Sequence, residues 1–203
     1  MRQIIKLSLG FIVVLALAAT ASAQQPGRIR GEIVKADGAN LELKLRDGGT
    51  MNVKLADDVR VTALVKASLA DLKNDTFIGI AGVPRPDGSI EAHSIHMFMP
   101  AQRGVVADRH FPWDSRPNST MTNAYIEGTP ATEGGGATFK VKYKEGEKSV
   151  ATTPQTAIAA AAPGSKDELK PGAQIIIFAS EKQPDGSVLA KTMYVGRDVT
   201  PAM

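Results

Sequence analysis

Apolar and polar residues alternate strictly along Leu41-Glu42-Leu43-Lys44-Leu45-Arg46, and the stretch ends at Asp47-Gly48. The same alternation returns 98 residues on, in Phe139-Lys140-Val141-Lys142-Tyr143-Lys144, and ends at Glu145-Gly146. A period of two sets one face of a strand on a core and the other in water, so both stretches predict half-buried strands closed by a turn. The likeness continues downstream. Asp71-Leu72-Lys73 matches Glu168-Leu169-Lys170, each ahead of an apolar run at 77–83 and 174–179. Pro86-Asp87-Gly88-Ser89-Ile90-Glu91-Ala92 matches Pro184-Asp185-Gly186-Ser187-Val188-Leu189-Ala190, and Asp-Gly between apolar runs is a strong hairpin signal. The chain thus reads as two copies of one β unit.

In the first copy the pattern predicts strands at 28–35, 39–46, 50–55, 77–83 and 89–99, with a helical turn at 68–72 behind Ser68 as N-cap. Three strands, a helical turn and two strands is the order of a five-stranded oligonucleotide/oligosaccharide-binding (OB) barrel, which also removes exposed strand edges. The predicted fold is all-β with minor α: two tandem five-stranded OB-like barrels, at 24–103 and 124–203, joined by a packed linker at 104–123. A β-sandwich of eight to ten strands is the alternative arrangement of the same repeat. The last strand of each copy changes parity, between Ala92 and Ile95 and between Ala190 and Met193. A bulge at His93-Ser94 and at Lys191-Thr192 would keep all the apolar residues inward.

The first 23 residues follow a different pattern. Arg2 and Lys6 precede an apolar run at 7–19 and the small residues Ala21-Ser22-Ala23, which predicts a secretory signal peptide cleaved before Gln24 and a periplasmic or secreted protein. The run is too short to span a bilayer, so no membrane span is expected in the mature chain. The formal charge of +3 includes Arg2 and Lys6, leaving 22 basic against 21 acidic side chains after cleavage. Lysines and arginines are interspersed with carboxylates along the strands, which argues against nucleic acid as a partner. The chain has no cysteine, so disulfides, thiol chemistry and cysteine metal ligands are excluded.

Chemistry-bearing residues are few. No Gly-x-Ser-x-Gly elbow, phosphate-binding Gly-Lys loop or His-Glu-x-x-His motif occurs, which predicts a protein that is not an enzyme. The linker holds the only tryptophan. Its rings predict a plug for the seam between barrels, or a ligand site there lined by Arg109, His110, Trp113, Asp114, Arg116 and Asn123. That site is expected to take a small-molecule or protein partner, and an enzyme at the seam is a further reading of the same residues. A metal set is the other candidate. His93 and His96 diverge on a regular strand, but the bulge could bring them together, and Met97 and Met99 share a strand face with soft thioethers suited to Cu(I). Zn(II) is the other metal considered, and a metal ion is the only cofactor implied. Met97 aligns with Val195, however, which predicts core. The Met-x-Met pair with a His and Trp113 is similar to that of small exported copper and silver chaperones, although Trp113 here follows the methionines.

Leu69-Ala70-Asp71-Leu72-Lys73, the Pro-Asp-Gly-Ser hairpin followed by Ala92, Pro112-Trp113-Asp114, Ser119-Thr120-Met121-Thr122-Asn123 and Pro201-Ala202-Met203 together resemble a family of small exported proteobacterial proteins. Many of its members carry the name "metal ABC transporter permease". The resemblance implies tandem OB-like domains of uncharacterised role and supplies no functional residues. The permease name is at odds with a chain whose membrane-length candidate is the leader itself. The expectation is a non-catalytic binding or assembly module of the periplasm.

Overall fold

The computed structural model describes residues 28–202, so the leader and its cleavage point lie outside the described residues. No described helix is long and apolar enough to cross a membrane. The fold is all-β, as the alternation predicts, with twelve strands and three single-turn 3-10 helices among the described residues. The first copy contributes β1 (Ile29–Asp37), β2 (Asn40–Leu45), β3 (Thr50–Lys66), β4 (Phe77–Pro84) and β5 (Ile90–Met97). A short β6 (Arg109–Pro112) follows, then β7 (Thr120–Glu133), β8 (Gly136–Tyr143), β9 (Gly146–Ala151), β10 (Ala157–Pro163), β11 (Gln174–Lys182) and β12 (Val188–Arg197). The helical turn foreseen behind Ser68 is present at Leu69–Asp71, where the Ser68 N–H and hydroxyl both donate to the Asp71 carboxylate at 2.9 and 2.8 Å. Its counterpart at Lys166–Glu168 follows Ser165.

Pairing departs from the expected domain boundaries. β1, β2 and β3 close into a five-stranded barrel with β11 and β12 of the other copy: β1 pairs β11 antiparallel and β12 pairs β3 in parallel. In the mirror arrangement β7, β8 and β9 close with β4 and β5, through antiparallel β4–β7 and a short parallel contact of Ile90 and Glu91 with Val150 and Ala151. The two copies have exchanged their C-terminal hairpins within one chain. The segments 24–103 and 124–203 therefore do not delimit the rings. The stretch 104–123 is not only a linker either, since β6 pairs β7 beside β4. Sequence periodicity defines a repeat unit but says nothing about which copy's hairpin completes it.

Each ring encloses its own core. Ile33, Leu43, Val53, Ile175, Ile177 and Met193 fill the first, and Ile78, Ile80, Ile95, Ile126, Val141 and Val150 the second. A third cluster, with Leu64, Ala81, Met121, Ile176 and Tyr194, lies in the seam between them. The runs at 77–83 and 174–179 lack alternation for this reason: one face fills a ring and the other the seam. The antiparallel β3–β10 pair crosses the seam and matches Leu64 with Ala161. That offset of 97 also relates Asp71 to Glu168, so the pairing is centred on a local two-fold axis. β10 is nearly all alanine, a helix-former, yet it is held extended by ladders on both sides, to β3 and β5.

Candidate functional site

The predicted bulges are present and they build the site. Ser94 and Ala92 pair with Ala81 and Gly82, leaving His93 unpaired, and Thr192 and Ala190 likewise bracket Lys191. Ile90, Ala92, Ile95 and Met97 thereby face the second core, and Val188, Ala190, Met193 and Val195 the first. The residues between them, His96 in β5 and Thr192 and Tyr194 in β12, are turned out into the seam.

There they wall a cleft of about 540 Å³. Arg60, Val61 and Thr62 of β3 run alongside Thr192 and Tyr194 of β12, with Phe178 of β11 next to them. The second ring supplies His96, Phe98, Met121 and Asn123, and Phe111 and Trp113 complete the aromatic lining. The rings meet edge to face: Phe178 with Tyr194 at 4.8 Å, His96 with Phe98 at 4.4 Å and Phe111 with Trp113 at 5.6 Å between centroids. This is the favoured arrangement for aromatic quadrupoles. The connection after β5 adds Met99, Gln102, Val105 and Val106. It is pinned at three points: Gln102 donates to the Tyr194 hydroxyl (3.2 Å), Arg103 pairs with Asp75 (2.9 Å), and Asn123 donates to the Ala107 carbonyl (3.1 Å).

His96 and Tyr194 are buried titratable groups of this wall, and His96 is 4% exposed. A glycine makes room for it. A Cβ on residue 79, its cross-strand partner, would lie 2.0 Å from the imidazole Cε1. Burial pushes the ring down to about 3 against the opposing pull of a hydrogen bond to the Gly79 backbone, so it is neutral at ordinary pH. Its Nδ1 is sealed without a partner among the described residues, as is Trp113 Nε1. Across the two-fold, the positions of His96 and Gly79 are taken by Tyr194 and Ile176. Burial raises the Tyr194 phenol, opposed by the Gln102 hydrogen bond.

The two-fold axis generates a second cleft, also about 540 Å³. Here Ala157 and Ala159 of β10 run alongside Ser94 and His96 of β5, as Arg60 and Thr62 run alongside Thr192 and Tyr194. Its lining is aliphatic and polar, with Leu64, Ile158 and Val199 beside Lys66, Ser68, Thr156 and the tail residue Asp198, and His96 is its one ring among the described residues. His96 borders both clefts.

Of the seam residues predicted from sequence, Trp113 and Asn123 line the aromatic cleft. Arg109, His110 and Asp114 do not. Arg109 lies over the Phe111 ring (4.4 Å to the centroid), and His110 Nδ1 is 2.8 Å from the Thr122 hydroxyl. Asp114 accepts from Arg30 at 2.7 Å and pairs with Arg28, whose guanidinium stacks over Trp113 at 3.5 Å. Burial pushes the Asp114 carboxyl up, but Arg30 and Arg28 outweigh it and hold it low. Asp114 thus ties its loop to β1, and the turn after it is closed by Ser119, whose hydroxyl donates to the Arg116 carbonyl at 2.8 Å.

The four metal candidates are divided among three environments. His93, on the bulge, is 3.0 Å from the Ser115 hydroxyl; Met97 packs on the second core; His96 and Met99 line the aromatic cleft. No group of three or more histidines or carboxylates is placed to hold a metal among the described residues. The His93–Ser115 pair has the spacing of a base and a nucleophile. Burial and the neighbouring Arg116 charge hold His93 down to about 4, however, and its Nδ1 has no partner to fix the ring. Arg60, Phe98, Phe178 and Tyr194 escaped the sequence reading. The bulge was the available signal, because a shift at Lys191 turns Tyr194 outward. Compared with protein-family models, characterised proteins and solved structures, the chain matches none.

Proposed function

We propose that the chain is an exported, non-catalytic binding module that holds a small molecule with an apolar body in the aromatic cleft. The observation that carries this reading is the contrast between two clefts of one backbone plan, of which only one is walled by Phe98, Phe111, Trp113, Phe178 and Tyr194. Small-molecule sites are concave, largely apolar and set where structural units meet. His96 supports binding over proton transfer, since a ring held at about 3 is a poor base near neutral pH. The export part rests on the leader in the sequence.

Calorimetric titration of the purified protein with 2-naphthalenemethanol tests the reading. A Kd of about 10–100 μM is expected for a ligand of this size. Thr192→Trp, which fills the aromatic cleft, should weaken binding at least about tenfold, the equivalent of about 1.4 kcal/mol. Ala157→Trp, in the other cleft, should leave it within about twofold. No heat up to the solubility limit, or equal losses in both variants, would remove the proposal.

A further inference from the structure

The charge at the cleft narrows the class of occupant. Among the described residues Arg60 is the one lining residue with a formal charge, since His96 is held neutral. It is exposed on β3 and makes no ion pair among the described residues. Asp58, two residues earlier on β3, is the weakest of the charges that raise Lys191, after Glu181. No aspartate or glutamate lines the cleft among the described residues. At the position related to Arg60 by the two-fold the other cleft has Ala157, and the cation that does line it, Lys66, is accompanied by the acid Asp198. An aromatic interior with a single guanidinium and no acid is complementary to a molecule with a flat apolar body and one negative end.

We infer that the preferred occupant is a small aromatic monoanion, a ring carboxylate whose ring packs among Phe98, Phe178 and Tyr194 and whose carboxylate meets Arg60. This rests on the binding role of the aromatic cleft proposed above. The guanidinium fork suits a carboxylate bidentately. Arg60 is then a selectivity residue: it ranks ligands of equal shape by charge and leaves the packing of the ring to its neighbours.

Three probes with one ring system separate these statements: 2-naphthoate, neutral 2-naphthalenemethanol and cationic 2-naphthylmethylammonium, titrated into the same protein. The expected order is anion, neutral, cation, with about two- to fivefold between the first two, as for an exposed ion pair. Arg60→Gln should bring naphthoate to the level of the alcohol measured in the same variant. In the unsubstituted protein, raising NaCl from 0.05 to 0.5 M should erode the anion preference alone, which checks the charge term independently of any variant. Equal or tighter binding of the alcohol, or an anion preference that survives Arg60→Gln, would overturn the assignment while leaving the cleft as a binding site. Failure of all three probes to bind would remove the cleft reading itself, and the ligand class with it.

Discussion

The two clefts on either side of the β3–β10 pair share strand pairings, bulges and volume, and differ in what their side chains offer. In one, Thr192 and Tyr194 face Arg60 and Thr62 beneath a connection that brings Met99, Gln102, Phe111 and Trp113. In the other, Ser94 and His96 face Ala157 and Ala159 beneath the tail at 198–202. Duplication supplied the concavity twice. Side-chain choice at a handful of outward positions made only one of them aromatic. The backbone therefore explains where a ligand can sit, and the asymmetry explains which side it takes.

Both clefts depend on hairpin exchange, so the largest effect is expected from cutting the chain between Arg103 and Gly104. Neither half contains the strands of a closed ring. Alone, each half should fail to give a folded monomer, and mixing them should restore the native amide spectrum. A half that is monomeric and cooperatively folded by itself would show that the copies close separately.

Gly79 against Ile176 is the sharpest single-residue difference between the sides. Gly79→Ala places a Cβ 2.0 Å from the His96 ring and should cost about 3 kcal/mol in urea denaturation, at the upper end of overpacking. Gly79→Ala combined with His96→Ala should recover most of the overpacking loss. A Gly79→Ala protein as stable as the parent would mean that the imidazole does not lie against β4.

The same pair makes the sides differ in acid. An unfolded histidine takes up its proton near pH 6.5, whereas His96 folded stays neutral until about 3. Below 6.5 the unfolded chain binds the extra proton, so stability present above 6.5 falls as pH drops, by about 1.4 kcal/mol per unit from this residue. His93 and His110 are also lowered by burial and act in the same direction. Asp114 and Glu168, whose folded carboxyls are held low, add their loss only below about 4. Between 6.5 and 4.5 the slope belongs to the histidines, and His96→Phe should reduce it, measurable as Tm against pH. Tyr194, on the other side, is uncharged throughout. An unchanged slope in His96→Phe would place the acid sensitivity elsewhere.

Alternation at 41–46 and 139–144, the Asp-Gly turns and the parity shift after Ala92 and Ala190 made the strands, the repeat and the bulges legible in the sequence. Those signals are local. Hairpin exchange is not local, because either copy's hairpin satisfies the same pattern, and only the pairing of Ile29 with Ile177 decides it. The extension of β3 to Lys66 was hidden by Asp57 and Asp58, which interrupt its apolar pattern. The site was half legible: Trp113 and Asn123 stand out as linker residues, whereas Phe178 and Tyr194 look like further core residues until the seam gives their face a neighbour.

Trp113 is the only tryptophan of the chain and lies in the aromatic wall, so its indole N–H gives one isolated resonance. Following that signal and the backbone amides during titration with 2-naphthoate tests directly whether the ligand chooses the aromatic side. Saturable shifts at Trp113, Phe178, Thr192 and Tyr194, with Ala157, Ser68 and Thr200 unmoved, are expected. Shifts centred on Ala157, Ser68 and Thr200, with the indole resonance unmoved, would contradict it.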